Sequence, residues 1–305
     1  MSRSSGVHLG GDESWTGTTE TMTIRGQRIR VSIEGPSSSH PLLLIPGIGA
    51  PLELWKSFRR ELGRETVAFD APGTGGSSTP GWPHTMWELA VTVNTLLDRL
   101  GYQMVDVLGI SWGGGLAEHL ALVRRSRVRR LVLAATGFGF GSIPGNLSTL
   151  TELLTPTRYS SPAHLRRVGP ALFGGEIRRR PEILNEHGVV RSRHAPSTRG
   201  YVYQLLAAST WASIPWLRFI AAETLVLVGD DDPIVPTINA RILARLLPNA
   251  RLRIVPDAGH LFLIDQPEAA AAIVGDFLRE HSRARARSPR RDESVRGGKG
   301  EQTRR

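Results

Sequence analysis

The chain contains no cysteine and no apolar run long enough to cross a membrane. Without thiols it forms neither disulfides nor thiolate metal sites, and no cluster of His and carboxylate residues stands at metal-ligand spacing. We therefore expect chemistry that needs no metal and no cofactor. Residues 1–19 are rich in Gly, Ser and Thr and lack the apolar stretch of a signal peptide, which predicts a cytoplasmic location without a transmembrane segment.

Aromatic residues make up only 6% of the chain, and none lies in the basic segment 282–305. The formal net charge is +10, and this segment supplies +6 of it through nine Lys or Arg against three carboxylates. Because it has almost no apolar surface to bury, we expect it to be disordered. It either keeps the protein soluble or attaches it to an anionic surface. We expect no nucleic-acid partner, since stacking aromatics are absent.

The most informative motif is Gly-Ile-Ser-Trp-Gly at residues 109–113. It follows the apolar run 105–108 and precedes a helix predicted to begin near Trp112. Such a motif between a strand and a helix is typical of a nucleophile elbow, which projects a serine hydroxyl from the carboxyl edge of a sheet. Ser111 is therefore the candidate nucleophile.

An acid candidate follows the next suitable strand, predicted at residues 225–228, which ends in three consecutive aspartates. We favour Asp232, because Pro233 keeps its backbone out of helical geometry and the segment 233–236 is stiff. Asp230 and Asp231 stay open as alternatives, since spacing alone does not choose among the three.

The base candidate is His260, one of nine histidines. It lies in a Gly-containing loop between a strand predicted to end at Val255 and a helix predicted to begin near Pro267. A serine hydroxyl is a poor nucleophile at neutral pH, so an imidazole must take its proton during attack and return it to the leaving group. A carboxylate on the other ring nitrogen fixes the tautomer and stabilises the imidazolium.

A developing oxyanion also needs donors. The residue after the nucleophile, Trp112, supplies one backbone N–H. The second comes from the Gly-rich turn after the strand predicted at residues 42–45, where Ile48 is the candidate and Gly49 the alternative. We also expect the Trp112 side chain to line the substrate pocket.

Strand and helix patterns alternate along most of the chain, which predicts a mostly parallel sheet covered on both faces. The predicted order is a hairpin at 21–34 turning at 26–27, strands at 42–45, 66–69, 105–108 and 128–134, and helices at 52–62, 86–100 and 116–123. The alternation stops in residues 137–218, which we call the cap segment. Helical patterns there lie at 147–154, 164–173 and 201–208. The predicted organisation is a flexible extension at 1–20, a core at 21–136 and 219–281, a helical cap at 137–218 and a disordered tail at 282–305.

Several stretches together resemble a known family. The set is 45–50, 69–80, 109–114, 229–236 and 259–260, and it is similar to the α/β-hydrolase family. Further stretches at 131–136, 160–175, 238–251 and 260–264 resemble the intracellular poly(3-hydroxyalkanoate) depolymerases of the medium-chain-length type. The likeness covers residues 25–279. It implies the α/β-hydrolase fold, with Ser111, Asp232 and His260 as a catalytic triad.

The resemblance implies an enzyme that cleaves ester bonds of a water-insoluble storage polyester through an acyl-enzyme, without a cofactor. An apolar cap suits the alkyl side chains of this substrate and adsorption to a storage granule. Two alternatives stay open. One is another enzyme on the same fold, either a small-ester hydrolase or a cofactor-free haloperoxidase-like protein. The other is a non-catalytic granule-binding protein, against which the complete set of three candidate residues argues.

Overall fold

A computed structural model describes residues 17–280. Its eight strands are β1 (Gly17–Ile24), β2 (Gln27–Glu34), β3 (Leu42–Ile45), β4 (Thr66–Phe69), β5 (Val105–Ile110), β6 (Val128–Ala134), β7 (Glu223–Gly229) and β8 (Ala250–Val255). They form one sheet in the order β1-β2-β4-β3-β5-β6-β7-β8. Pairing is antiparallel from β1 to β2 and from β2 to β4, and parallel elsewhere. The predicted α/β-hydrolase fold with a mostly parallel sheet is confirmed.

The central strands are apolar runs rather than alternating patterns. Every residue of β3, β4 and β5 is buried, as expected for parallel strands covered on both faces. The predicted hairpin is present, but its turn lies one residue earlier than predicted. Ile24 pairs with Gln27, and the two turn residues Arg25 and Gly26 both have positive φ, the geometry that suits the twist of a two-residue hairpin.

Helices cover both faces of this sheet. They are α1 (Lys56–Leu62), α2 (Met86–Leu100), α3 (Trp112–Val123), α4 (Leu147–Glu152), α5 (Thr157–Ser160), α6 (Pro162–Phe173), α7 (Gly175–Arg179), α8 (Ile183–Arg193), α9 (Thr198–Ser209), α10 (Thr237–Leu246), α11 (Phe262–Asp265) and α12 (Pro267–Arg279). Helices α2, α3 and α10 contribute to the core on one face, and α1, α11 and α12 to the core on the other. The helix predicted at 52–62 is instead a 3₁₀ turn at Leu52–Trp55 followed by α1.

The cap segment holds helices α4 to α9. Its two ends meet at an isolated bridge between Gly139 and Ala212. A third apolar core lies inside it, and this core also includes Ile234 and Leu261 from the loops after β7 and β8. The three predicted helices correspond to α4, α6 and α9, whereas α5, α7 and α8 were not predicted. The cap segment therefore packs directly on the loops that carry the acid and base candidates.

The two predicted terminal segments are only partly covered by the structure. Strand β1 begins at Gly17. Residues 17–20, which we predicted to belong to the flexible extension 1–20, are therefore part of the sheet. The remaining residues of that extension, and the predicted disordered tail at 282–305, lie outside the described residues. Within residues 17–280, no helix combines the length and apolar character needed to span a membrane.

Candidate active site

Ser111 lies at the junction of β5 and α3, with φ 55° and ψ −122°. A non-glycine residue in this region of conformational space is strained, and such strain persists only where the surrounding structure enforces it. The N–H of Ser111 donates to the carbonyl of Ala134, 2.9 Å away, and its carbonyl accepts from Thr136 Oγ1 at 2.8 Å. The elbow is thus fixed to the end of β6 on both sides of the serine.

Two glycines of the motif allow this sharp turn. A Cβ atom on Gly113 would lie 2.3 Å from the carbonyl oxygen of Ile45, and one on Gly109 would lie 2.2 Å from the carbonyl oxygen of Gly113. Both distances are far below van der Waals contact. The backbones of β3, β5 and α3 therefore touch, and only glycine fits at these two positions.

Asp232 and His260 are joined by a hydrogen bond. His260 Nδ1 lies 2.8 Å from Asp232 Oδ2, and both side chains are buried. The other carboxylate oxygen accepts from the backbone N–H groups of Ile234 and Val235, each at 2.9 Å. Because the carboxylate can only accept when ionised, Nδ1 carries the proton in this arrangement. Nε2 is then left with a free lone pair, as a general base requires.

The two rival aspartates have other contacts. Asp231 accepts from the N–H of Gly175 and from Arg178 Nη1, both at 2.7 Å. Asp230 is exposed, and its backbone N–H donates to the carbonyl of Val255. Of the three consecutive aspartates, Asp232 is the one that contacts His260.

The three candidate residues follow β5, β7 and β8, whose carboxyl ends share one edge of the parallel sheet. Among the described contacts, no hydrogen bond joins Ser111 Oγ to His260 Nε2. Catalytic hydrogen bonds are often long or poorly aligned before substrate binds. The structure thus joins the acid to the base and brings the serine to the same edge without a direct bond.

The turn after β3 lies over the serine. A Cβ atom on Gly47 would be 3.6 Å from Ser111 Cβ. Within residues 17–280, the backbone N–H groups of Ile48 and Trp112 have no hydrogen-bond acceptor. The N–H of Gly49 is engaged instead, because it donates to Gln204 Oε1 at 2.8 Å. The engaged Gly49 favours Ile48 as the second oxyanion donor.

Two residues of the cap segment that the sequence did not single out hold this turn. Gln204 contacts Gly49 and also donates from Nε2 to the carbonyl of Pro72 and to Thr74 Oγ1. Tyr159 donates from Oη to the carbonyl oxygen of Ile48, 2.5 Å away. Both contacts link residues more than one hundred positions apart, so no local pattern indicates them.

The Trp112 side chain is not where we expected it. It is buried within the sheet core rather than lining a pocket, and its Nε1 donates to the carbonyl of Gln204 at 2.9 Å. The indole therefore connects the elbow to α9. The indole is buried because the cap segment packs directly on the start of α3.

Asp265 is a further carboxyl near the site that the sequence did not single out. Its two carboxylate oxygens are buried and lack a hydrogen-bond partner in the part of the chain that the structure describes. Burial raises the pKa of Asp265 to about 7, the negative charge of Glu176 contributes to the rise, and His260 opposes it. The signal in the sequence was a lone acid in the apolar run 261–265.

Comparison with known proteins agrees with this geometry. The profile of the Alpha/beta hydrolase family matches residues 42–273. The chain belongs to the alpha/beta hydrolase family. The predicted family and the prediction of a hydrolase enzyme are thereby confirmed.

Individual relatives are informative as well. The chain is 44% identical over 275 residues to a poly(3-hydroxyalkanoate) depolymerase of Ectopseudomonas oleovorans, which covers 88% of this chain and 95% of that protein. It is 31% identical over 271 residues to a 2-hydroxymuconate semialdehyde hydrolase of Pseudomonas putida, covering 82% and 91% respectively. The crystal structure of an enol-lactonase from Burkholderia xenovorans LB400 has a TM-score of 0.74 at 24% identity, covering 86% of this chain and all of that one. At that identity the structural likeness supports the fold alone.

Proposed function

We propose that this protein is a serine hydrolase that cleaves the ester bonds of poly(3-hydroxyalkanoate) through an acyl-enzyme. The single observation that carries the chemistry is the buried hydrogen bond between Asp232 and His260 at the sheet edge that holds the strained Ser111. The polyester as substrate is supported by the 44% identity to the depolymerase of Ectopseudomonas oleovorans.

In the first half-reaction, Ser111 Oγ attacks the ester carbonyl carbon while His260 Nε2 takes the hydroxyl proton. Asp232 accepts from Nδ1 of His260 and stabilises the imidazolium that forms. Collapse of the tetrahedral intermediate breaks the ester C–O bond, and the imidazolium gives its proton to the leaving alkoxide. A chain with a new hydroxyl end departs, and the acyl group stays on Ser111.

In the second half-reaction, His260 takes a proton from water as the water attacks the acyl-enzyme carbonyl. The second tetrahedral intermediate releases the carboxylic acid, and the proton returns to Ser111 Oγ. In both intermediates the backbone N–H groups of Ile48 and Trp112 donate hydrogen bonds to the negatively charged oxygen. Removing one such donor costs about 3 kcal/mol of transition-state stabilisation.

We also propose that the cap segment forms a roof over this site. The proposal is supported by the contacts from Tyr159 and Gln204 to the Ile48 turn, and by the N–H of His260, which donates to the carbonyl of Phe173 at 2.7 Å. Large apolar side chains near the ends of the segment face solvent, including Phe140 at 81% and Leu147 at 78% exposure. Exposed apolar surface of this kind suits contact with a water-insoluble polymer.

This function places the protein in the cytoplasm, at the surface of polyester storage granules. The test is incubation of purified protein with granules of a medium-side-chain polyester and, separately, with soluble short esters, followed by identification of the released acids. We expect 3-hydroxy acids from the granules and no release by Ser111→Ala, with folding and granule attachment preserved in that variant. Activity confined to soluble esters would instead indicate a small-ester hydrolase.

A further inference from the structure

The cap segment buries two arginines without an acidic partner. Arg158 on α5 and Arg191 on α8 are almost completely inaccessible to solvent. Among residues 17–280, no Asp or Glu side chain forms an ion pair with either one. Arg158 Nη1 donates to the carbonyls of Glu152 and Thr155, at 3.2 and 3.1 Å, but these are neutral groups. Buried charges are usually paired, so an uncompensated pair of like charges needs an explanation.

Both guanidinium groups lie against the ring of Tyr159. Their central carbons lie 4.7 and 4.9 Å from the ring centroid of Tyr159. Arg158 also lies 5.3 Å from the ring of Tyr201, and Arg191 lies 5.6 Å from the ring of Phe173. Ring faces offset part of the cost of desolvating a cation. The phenol groups of Tyr159 and Tyr201 also hydrogen-bond to Arg158, and that of Tyr159 to Arg191, but these acceptors carry no negative charge at neutral pH.

Two buried polar atoms beside the arginines lack a hydrogen-bond partner in the described chain. Arg191 Nε is buried and has no hydrogen-bond acceptor within the described chain, and His187 Nδ1, one helical turn earlier on α8, has no hydrogen-bond partner there either. Burial lowers the pKa of Arg191, Tyr159 raises it, and the charge of Arg158 lowers it. Burial and the charge of Arg191 lower the pKa of His187 to about 4, so this imidazole is neutral at physiological pH. An anion would relieve the repulsion and accept from the orphaned guanidinium N–H.

The pair lies beside the candidate active site. Tyr159, whose ring contacts both guanidinium groups, donates to the carbonyl of Ile48 in the turn after β3, which we call the oxyanion turn. Phe173, whose ring contacts Arg191, accepts from the backbone N–H of His260. One aromatic residue thus separates the arginines from the oxyanion turn on one side and from the base on the other.

We propose that Arg158 and Arg191 form a subsite for a carboxylate of the substrate, the free carboxyl end of a 3-hydroxyacyl chain or oligomer. This inference rests on the proposed ester hydrolysis at Ser111. In a chain of 3-hydroxy acids, the terminal carboxylate is only a few bonds from the last ester carbonyl. Guanidinium groups match a carboxylate in charge and in planar geometry.

The consequence is a preference for chain ends. A substrate that ends in a free carboxylate binds with its last ester at Ser111, whereas a substrate with a blocked end loses the contact to the two arginines. The enzyme therefore removes units from the carboxyl end and hydrolyses short oligomers better than it attacks the interior of a chain.

The test compares a dimer of 3-hydroxyoctanoate bearing a free carboxylate with the methyl ester of the same dimer. For the wild-type protein we expect a KM at least about tenfold lower for the free acid, the size of one charge-assisted contact. Arg191→Gln is expected to remove most of this preference, because the KM for the free acid rises toward that for the methyl ester. Arg193→Gln, an exposed position on the same helix, is the matched control and is expected to keep the preference.

A binding measurement keeps the test independent of turnover. In the Ser111→Ala background, 3-hydroxyoctanoate is expected to raise the unfolding temperature, and the added Arg191→Gln change is expected to abolish that rise. Equal KM values for the two wild-type dimers would overturn the carboxylate subsite. So would an Arg191→Gln change that alters inhibition by inorganic phosphate but not the preference between dimers, since the pair would then bind a free anion. Loss of the proposed function is a separate result, visible as no Ser111-dependent hydrolysis of either dimer.

Discussion

Tyr159 donates a hydrogen bond to the carbonyl oxygen of Ile48 over 2.5 Å, and so connects the cap segment to the turn that carries the proposed oxyanion donor. The bond fixes the peptide unit that follows β3 from above. Because an N–H aimed at the oxyanion must be preorganised to stabilise the transition state, this contact bears on turnover as well as on packing.

Replacement of Tyr159 by Phe is expected to lower kcat by up to about tenfold, equivalent to about 1.4 kcal/mol of transition-state stabilisation. The ring and its packing are kept, so the free energy of unfolding is expected to fall only by about 1 kcal/mol, the contribution of one hydrogen bond. Steady-state kinetics on a soluble ester measures the effect. Tyr203→Phe is the matched control, because the hydroxyl of Tyr203 makes only an exposed 3.4 Å contact with Gly81. An equal loss in both variants would refute the role of the Ile48 contact.

Replacement of Asp232 by Asn tests the choice among the three aspartates. The amide cannot hold the Nδ1–H tautomer of His260, so kcat is expected to fall by a factor on the order of 10⁴. Asp230→Asn, at the exposed neighbouring position, is expected to leave kcat unchanged. The comparison is made at several pH values, and a large loss in the Asp230 variant alone would contradict the assignment.

Replacement of Gly113 by Ala tests the packing that holds the elbow. The new methyl group would lie 2.3 Å from the carbonyl of Ile45, so β3 and α3 must separate. We expect the free energy of unfolding to fall by about 3 kcal/mol or more, measured in urea. Gly81→Ala is the control, because a Cβ atom there meets nothing within 4 Å. Similar stability of the two variants would show that the elbow tolerates a side chain.

Asp265 predicts a pH dependence of stability. Its pKa of about 7 in the folded state lies above the value of about 4 for an unfolded carboxyl, so the folded state retains a proton that the unfolded state releases. The stabilisation from this proton is complete below pH 4 and is lost as pH rises to 7, by at most about 1.4 kcal/mol per pH unit.

The Asp265→Asn variant cannot lose this proton. We therefore expect it to be more stable than the wild-type protein at pH 8, with the advantage disappearing at pH 4, in urea titrations across this range. Asp276→Asn on α12, an exposed aspartate paired with Arg279, serves as the control. An advantage of Asp265→Asn that is equal at all pH values would contradict the burial of a proton at this site.

The sequence predicts the strands of the central sheet well, because buried parallel strands are continuous apolar runs such as residues 42–45 and 105–108. It also predicts the elbow, since two glycines around Ser111 leave a readable pattern. The choice of Asp232 rested on Pro233 and on the stiff segment 233–236. The hydrogen bond to His260 depends on where β7 and β8 end in space, which spacing does not reveal.

The cap segment was harder to predict. Helix α8 was missed because its sequence has Gly188 in its interior, two adjacent valines and no clear apolar stripe, while it buries a charged residue, Arg191. The contacts of Tyr159 and Gln204 with the oxyanion turn cross 111 and 155 positions of sequence. Such contacts leave no local pattern, so they could be found only after folding.

The most direct test of the central claim is to trap the acyl-enzyme. A slow-deacylating soluble ester of 3-hydroxyoctanoate is mixed with the protein, and the reaction is quenched in acid. The protein is then digested, and the masses of its peptides are measured by mass spectrometry. We expect the added mass of one 3-hydroxyoctanoyl group on the peptide that contains Ser111, and no such addition in Ser111→Ala. Undiminished ester cleavage in that variant, or an acyl group carried by another residue, would contradict the central claim.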